Sequence, residues 1–359
     1  MSTFTVDAVQ SVHPYPCSFP GATARKYLSG GGVFLDPFCG SGTSVLEASL
    51  HGGFDRAVGM DCNPIGLLIA SFKTLEAAPS DLSSADDLMA ELLDRATGFQ
   101  HAEPDLPDFD GRDHWFDPQV GRELAAILGF IQASAIRRFE ATWLRCALSS
   151  IVTRVSFQDS DTRYVRKEYE VTAGETSSIF VKRAEDMLNA LKSRGPLSSE
   201  VDLRECNVMD GFPIPDETVN LIVTSPPYAN KMDYYLYHKQ RMNVLGLNFK
   251  NVQRAEIGSR HEYSSQKQTA SKWSEDLGFI VKETKRVLRR GAAAIWVIGD
   301  SQIAGTRIDL SDETRVLATT HGLEYELLES VPLSQRSRSF NAAFRAEGQL
   351  EHTIKLSKP

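Results

Sequence analysis

Two short stretches of the chain combine residue types that reactive sites use. The first is Asp36-Pro37-Phe38-Cys39-Gly40-Ser41-Gly42-Thr43, directly after the apolar run Val33-Phe34-Leu35. The second is Thr224-Ser225-Pro226-Pro227-Tyr228, directly after Leu221-Ile222-Val223. Each reads as an apolar strand that ends in a tight loop. In the first, Gly40 and Gly42 permit a sharp turn and a close approach of a ligand to the backbone. The helix that starts at Thr43 turns its positive end and its unpaired N–H groups toward that loop. No Gly-Lys-Ser or Gly-Lys-Thr follows, and the glycine spacing is not that of a dinucleotide loop, so both ATP and a dinucleotide are disfavoured. A nucleotide-like cofactor of another kind fits better, and Asp61, at the end of the next apolar run, is set to accept both hydroxyls of a ribose.

The second loop suits a planar base with an exocyclic amine. Pro226 and Pro227 fix φ and remove their own N–H donors, so the loop is stiff and its carbonyls face outward. The Pro226 carbonyl and the Ser225 hydroxyl can hold the two hydrogens of an amine and orient its lone pair. Tyr228 offers an aromatic face for the base, worth about 1–3 kcal/mol of stacking. A base in a duplex must leave the stack to get there. Together the loops point to methyl transfer to nitrogen. An electrophilic methyl group needs positioning and desolvation rather than a covalent enzyme nucleophile. In keeping with that, the Pro16-Cys17 pair precedes the first loop and does not stand where a cytosine-C5 chemistry would need its thiolate.

These loops need a sheet to hold them. Gly30-Gly31-Gly32 opens a strand at Val33–Asp36, Thr43–His51 reads as a helix, and Ala57–Asp61 is the next strand. Asn63-Pro64 starts a further helix to about Thr74. This is a βαβ rhythm and predicts a parallel sheet. Residues 77–195 break it: Asp81–Thr97, Gln119–Ser134, Ala141–Val155 and Ser178–Ser193 have helical patterning, with a Pro- and Asp-rich loop at His101–Phe116 and a polar stretch without period at Phe157–Thr176. The rhythm resumes with strands at Val201–Cys206 and Val219–Thr224, a helix at Leu277–Leu288, a buried strand at Ala292–Gly299 and a helix at Asp312–Thr320. Tyr325–Val331 and His352–Leu356 would close the sheet as an antiparallel hairpin around Phe340–Gly348. The expected architecture is α/β and Rossmann-like: a seven-stranded, mostly parallel sheet built by 1–76 and 196–359, and a mainly helical insertion at 77–195.

Composition sets the remaining bounds. With 359 residues and 42% hydrophobic content, the chain can bury a large core. No apolar run nears the ~18 residues of a membrane span, and no basic-then-apolar leader opens the sequence. The five cysteines (Cys17, Cys39, Cys62, Cys146, Cys206) form no CxxC pair, so no metal site is expected, and they read as reduced thiols of a cytoplasmic protein. The net charge of −8 argues against a polyanion partner at first sight. Its distribution does not. Glu76 to Glu123 carries 13 acidic and 3 basic residues, whereas Lys231 to Arg290 carries 13 basic and 6 acidic ones, a locally basic stretch just after the second loop.

The two loops resemble the cofactor and catalytic motifs of the DNA amino-methyltransferases, the N4-cytosine and N6-adenine enzymes that use S-adenosylmethionine. The resemblance covers most of the chain outside the insertion. It implies that His13, in His13-Pro14-Tyr15-Pro16, and Phe19 lie beside the methionine moiety. It gives Asp36, Phe38, Gly40, Ser41, Gly42, Thr43, Asp61, Asn63 and Asp210 to the cofactor, Asp61 at the ribose and Asp210, in Asn207-Val208-Met209-Asp210, at the adenine amine. It gives Ser225, Pro226, Pro227 and Tyr228 to catalysis, and Asn230, Asp233 and Tyr234 to the substrate base. Val297-Ile298-Gly299-Asp300-Ser301 resembles the late strand. A serine at the first loop position favours cytosine N4, since adenine enzymes usually carry Asp or Asn there. Double-stranded DNA is the implied partner, with a cognate restriction endonuclease as a companion and no membrane.

Two features depart from the pattern. The long insertion before Asp210 does not match the usual position of a target-recognition domain. Asn220 stands where an acid is common, which bears on strand capping. Arg137, Arg138, Arg145, Arg154, Arg163, Arg166 and Lys167 suggest that the insertion walls a DNA cleft, or else that it buttresses the sheet. Three other readings stay open: an N6-adenine enzyme, an RNA enzyme of the tRNA guanine-N2 kind, and a DNA-binding subunit without activity. The RNA enzymes carry Asp or Asn at the first loop position and an added RNA-binding domain, and neither is visible. A subunit without activity predicts decayed loops, and both loops are intact.

Overall fold

The computed structural model describes residues 8–16, 20–103, 106–134, 137–333 and 348–359. The chain forms two compact units, each assembled from three stretches: 1–17, 64–197 and 236–250 in one, and 18–63, 198–235 and 251–359 in the other.

The second unit holds a seven-stranded sheet. Its strands, in chain order, are β1 Val33–Asp36, β2 Arg56–Asp61, β3 Glu200–Glu205, β4 Val219–Thr224, β5 Leu288–Gly299, β6 Glu324–Pro332 and β7 Leu350–Ser357. They lie side by side as β3-β2-β1-β4-β5-β7-β6. The first five are parallel, and β7 runs antiparallel to both β5 and β6. This is the α/β, Rossmann-like sheet with a terminal antiparallel hairpin that the apolar runs predict. The connection between β6 and β7 at Phe340, where the hairpin turn is expected, lies outside the described residues.

Short apolar strands form a sheet here because both faces are covered. In β1, Phe34 and Leu35 are both fully buried. Phe34 faces Phe54 with ring centroids 5.5 Å apart. Leu35 joins a core with Met60, Ile222, Trp296 and Ile354, under Trp273, Leu277, Ile280 and Val281 of the Ala270–Val287 helix. Burying a side chain of this size contributes about 1.5–3 kcal/mol. At the strand starts, Asn220 Oδ1 accepts the Val33 N–H (2.9 Å), so the residue that departs from the expected acid ties β4 to β1.

The first unit is mainly helical, with long helices at Pro64–Lys73, Pro79–Phe99, Pro118–Ser134, Arg138–Val155 and Glu175–Arg194. The aperiodic stretch after Phe157 contains a small hairpin, Gln158–Ser160 with Arg163–Arg166. The basic residues of this unit are largely matched by acids: Arg137 with Glu140 and Asp81, Arg163 and Lys167 with Asp159, Arg166 with Glu168. No described helix is long and apolar enough to cross a membrane.

Candidate active site

Strands β1 to β5 are parallel, so the loops that follow them all open on one edge of the sheet. The chain order reverses direction between β1 and β4, and open α/β sheets bind ligands at such a switch point. Both loops singled out in the sequence emerge there, one from each of these neighbouring strands.

Asp36, the last residue of β1, is buried and joins the two loops. Its Oδ1 accepts the Thr224 hydroxyl (2.6 Å) and the Phe38 N–H (3.0 Å), and its Oδ2 accepts the Ser44 hydroxyl. Burial pushes its carboxyl up to about 6, against the pull of these donors. Gly40 and Gly42 follow with φ of 48° and 74°, the left-handed region that makes glycine the default residue. The loop folds tightly: the Gly42 N–H reaches the Cys39 carbonyl at 2.7 Å, and the Cys39 N–H reaches the Met60 carbonyl at 2.9 Å. The Thr43–His51 helix then starts with a glycine as its N-cap, a residue with no side chain to place over the positive helix end.

Asp61, the last residue of β2, faces this turn. Its carboxylate accepts the Gly40 N–H on Oδ2 and the Asn63 N–H on Oδ1, both at 2.8 Å. Burial pushes the Asp61 carboxyl upward, opposed by those N–H groups. Each carboxylate oxygen offers more than one lone pair, so an Asp61 held this way can still accept vicinal hydroxyls. Beyond β3, Asn207 Oδ1 accepts the Met209 N–H (3.1 Å) and opens a short turn that leaves Asp210 exposed on the same edge. Cys39, Cys62 and Cys206 surround this region. Burial pushes the first two thiols well above their usual range and Cys206 to about 11, with the Asp61 charge adding to the effect. They are protonated and poor nucleophiles at neutral pH.

The second loop is anchored from three sides. The Ser225 hydroxyl donates to the Val297 carbonyl of β5 at 2.9 Å. With its proton committed there, Ser225 Oγ turns lone pairs outward, the polarity required to accept an amine hydrogen. The Tyr228 hydroxyl donates to Glu351 Oε2 on β7 (3.2 Å), and its ring lies against Gly299, where an added Cβ would come within 2.7 Å of the ring carbon Cε2. Asn230 takes a left-handed φ of 59°. Its N–H reaches the Gly258 carbonyl (2.8 Å), its Nδ2 the Gln302 carbonyl (2.8 Å), and its Oδ1 the Ser264 hydroxyl (3.2 Å). Asn230 therefore braces the loop, and Asp233 does similar work by accepting the His261 N–H (2.9 Å).

Tyr234 opens the Tyr234–Val244 helix. Its N–H and that of Tyr235 reach the two carboxylate oxygens of Glu256 at 2.7 and 2.9 Å. Burial pushes Glu256 up to about 8, with Asp233 and Asp61 adding to the effect. Lys231 is buried against Gln349, and that burial lowers its amine to about 8.

His13 belongs to the helical unit, where its ring meets the Ser149 hydroxyl (3.0 Å) and the Pro14 carbonyl (2.7 Å). Burial and the nearby Arg241 charge push it well below its usual pKa, so it is neutral. Phe19 lies outside the described residues. Sequence reading did not single out Glu256, Gln349 or Glu351. The acids lie in segments with no motif, and only their distance from the loops in space, not in sequence, reveals them.

Comparison with known proteins gives two relatives. The Type II methyltransferase M.MvaI of Kocuria varians is 26% identical over 260 residues, 66% of this chain and 57% of that protein. The Type II methyltransferase M.BsoBI of Geobacillus stearothermophilus is 23% identical over 256 residues, 63% of this chain and 49% of that protein. The chain thus matches about half the length of these curated relatives. No family model matches. Among solved structures, the rRNA methyltransferase aviRa of Streptomyces viridochromogenes aligns with 99% of the chain at 12% identity and a TM-score of 0.35.

Proposed function

We propose that this chain is an S-adenosylmethionine-dependent DNA methyltransferase that modifies the exocyclic amine of an extruded base, N4 of cytosine. The observation that carries the reading is the Thr224–Asp36 hydrogen bond, which fixes the glycine turn and the proline loop side by side at one switch point. The similarity to two Type II methyltransferases supports DNA methylation. The serine at position 225 supports cytosine over adenine.

The residues present fit the cofactor. Gly40 and Gly42 bring no side chain to block a close approach, Asp61 offers carboxylate lone pairs for a ribose, and Asp210 is exposed on the same edge to meet an amine. When bound, the cofactor supplies an electrophilic methyl group. The chain's own part is positioning. Ser225 Oγ and the Pro226 carbonyl accept the amine hydrogens, and the lone pair of the nitrogen is thereby turned away from them. Tyr228, backed by Gly299, stacks on the base. Asn230, Asp233 and Tyr234 hold the segment after the loop in shape and border the base. Residues 77–195 with their arginines are the proposed DNA-contacting insertion, and a restriction endonuclease is the proposed companion.

Mass spectrometry of nucleosides from DNA of cells expressing the protein tests this. N4-methylcytosine should rise, and should not rise with Ser225→Ala. A rise in N6-methyladenine alone would correct the base. Modified tRNA with unmodified DNA would overturn the reading.

A further inference from the structure

Nothing in the loop motifs accounts for the fate of the proton. An exocyclic amine that gains a methyl group carries one proton too many. The new N–C bond uses the nitrogen lone pair, the old methyl bond leaves its electrons on the donor, and the nitrogen must then release a proton to become neutral. Ser225 and Pro226 border that nitrogen, but neither is a base. The structure has a base one step further away. Ser225 Oγ is 3.4 Å from the Tyr228 hydroxyl, and the Tyr228 hydroxyl donates to Glu351 Oε2 at 3.2 Å.

We infer, resting on the function proposed above, that Glu351 is the terminal proton acceptor of the transfer, reached through Ser225 and Tyr228. The amine proton moves to Ser225 Oγ, the serine proton to Tyr228 Oη, and the tyrosine proton to the Glu351 carboxylate. At the end both hydroxyls are as they began, the amine is neutral and Glu351 is a neutral acid. Charge and protons balance without a further reactant. Two features support the direction. The Tyr228 proton already points at Glu351 in the resting state. Glu351, unlike Asp36, is only partly buried, so it can return its proton to water. The Ser225 proton rests on Val297 and must rotate to Tyr228 for the relay. The 3.4 Å gap is long for a hydroxyl pair, and catalytic contacts of this kind commonly tighten once the substrate is bound.

Glu351 acts through Tyr228 and is therefore a positioning and relay residue, not one that touches the base. The arrangement gives β7, a strand outside both motifs, a share in the chemistry.

The experiment is single-turnover methyl transfer on duplex DNA with Glu351→Gln and Glu351→Ala. Glutamine still accepts the tyrosine hydrogen bond but takes no proton, so a purely structural role predicts a rate near that of the unaltered protein. The relay predicts a fall of about 100-fold or more, the usual range for general acid–base catalysis, with substrate KM unchanged. Added formate should restore part of the Glu351→Ala rate. S-Adenosylmethionine affinity by calorimetry should match the unaltered protein in both variants. A Glu351→Gln rate within about twofold of the unaltered one, no rescue by formate, or a parallel loss of cofactor affinity would each overturn the relay. Absence of transfer by the unaltered protein would instead overturn the function itself.

Discussion

Thr224 donates its hydroxyl proton to Asp36 at 2.6 Å, across the gap between two strands that are 188 residues apart in sequence. This bond makes one site of two loops, and it joins a group whose charge depends on pH. Burial raises the Asp36 carboxyl from its ordinary range to about 6. A carboxyl raised in the folded state supports folding below its unfolded pKa, and that support is lost as pH rises through the folded value.

Thr224→Val should expose this. The isosteric change removes one donor from a buried carboxylate and should cost about 1–3 kcal/mol where Asp36 is ionised. The loss should be larger at about pH 8 than at about pH 5, where the acid is largely neutral. Urea unfolding of both proteins at the two pH values measures it, and an equal loss at both would mean that the bond does not sense the Asp36 charge.

Glu256 predicts a second pH dependence. Its carboxyl is raised from 4.5 to about 8 by burial, so between these values the unfolded state releases its proton first and stability falls as pH rises. Glu256→Gln should flatten that fall, whatever it does to stability at low pH. The slope of unfolding free energy against pH is the readout, and an unchanged slope would assign the effect to other groups.

Gly299 is constrained by its neighbour rather than by its backbone. A Cβ there would lie 2.7 Å from Tyr228 Cε2 and 3.2 Å from Leu333 Cδ1. Gly299→Ala should shift the tyrosine ring and lower kcat by about 10- to 100-fold, as displacements near 1 Å do at reacting centres. Cofactor affinity should stay within about threefold, and steady-state kinetics with calorimetry separates the two.

Asp61→Ala removes the carboxylate that pins Gly40 and awaits the ribose. Charged hydrogen bonds contribute about 1.5–3 kcal/mol, so S-adenosylmethionine should bind about 10- to 150-fold more weakly. Calorimetric titration checks this, and an unchanged affinity would remove Asp61 from the site.

The sheet was legible because its strands are buried on both faces and therefore read as continuous apolar runs. Val33–Asp36 and Val219–Thr224 have the same bounds in sequence and structure. The loops were legible because glycine and proline act locally. What escaped was non-local. Nothing near Glu351 signals a partner 123 residues away, and the Tyr234–Val244 helix starts on a cap supplied by Glu256 rather than on a capping residue of its own. Asn230 and Asp233 carry the chemistry for a substrate contact, and their side chains also brace neighbouring loops, a role that only the fold reveals. The stretch after Phe157 had no period because its hairpin strands are three and four residues long, too short to show one.

The interleaved strand order bears on synthesis. β1 and β2 emerge early and pair, but their outer neighbours β4 and β3 are encoded well beyond residue 190. Until then the nascent ribbon has two open edges, each a template for pairing with another chain. The long helical stretch that follows β2 must therefore be made while the ribbon waits, so a ribosome stalled near that stretch would release a species prone to aggregate.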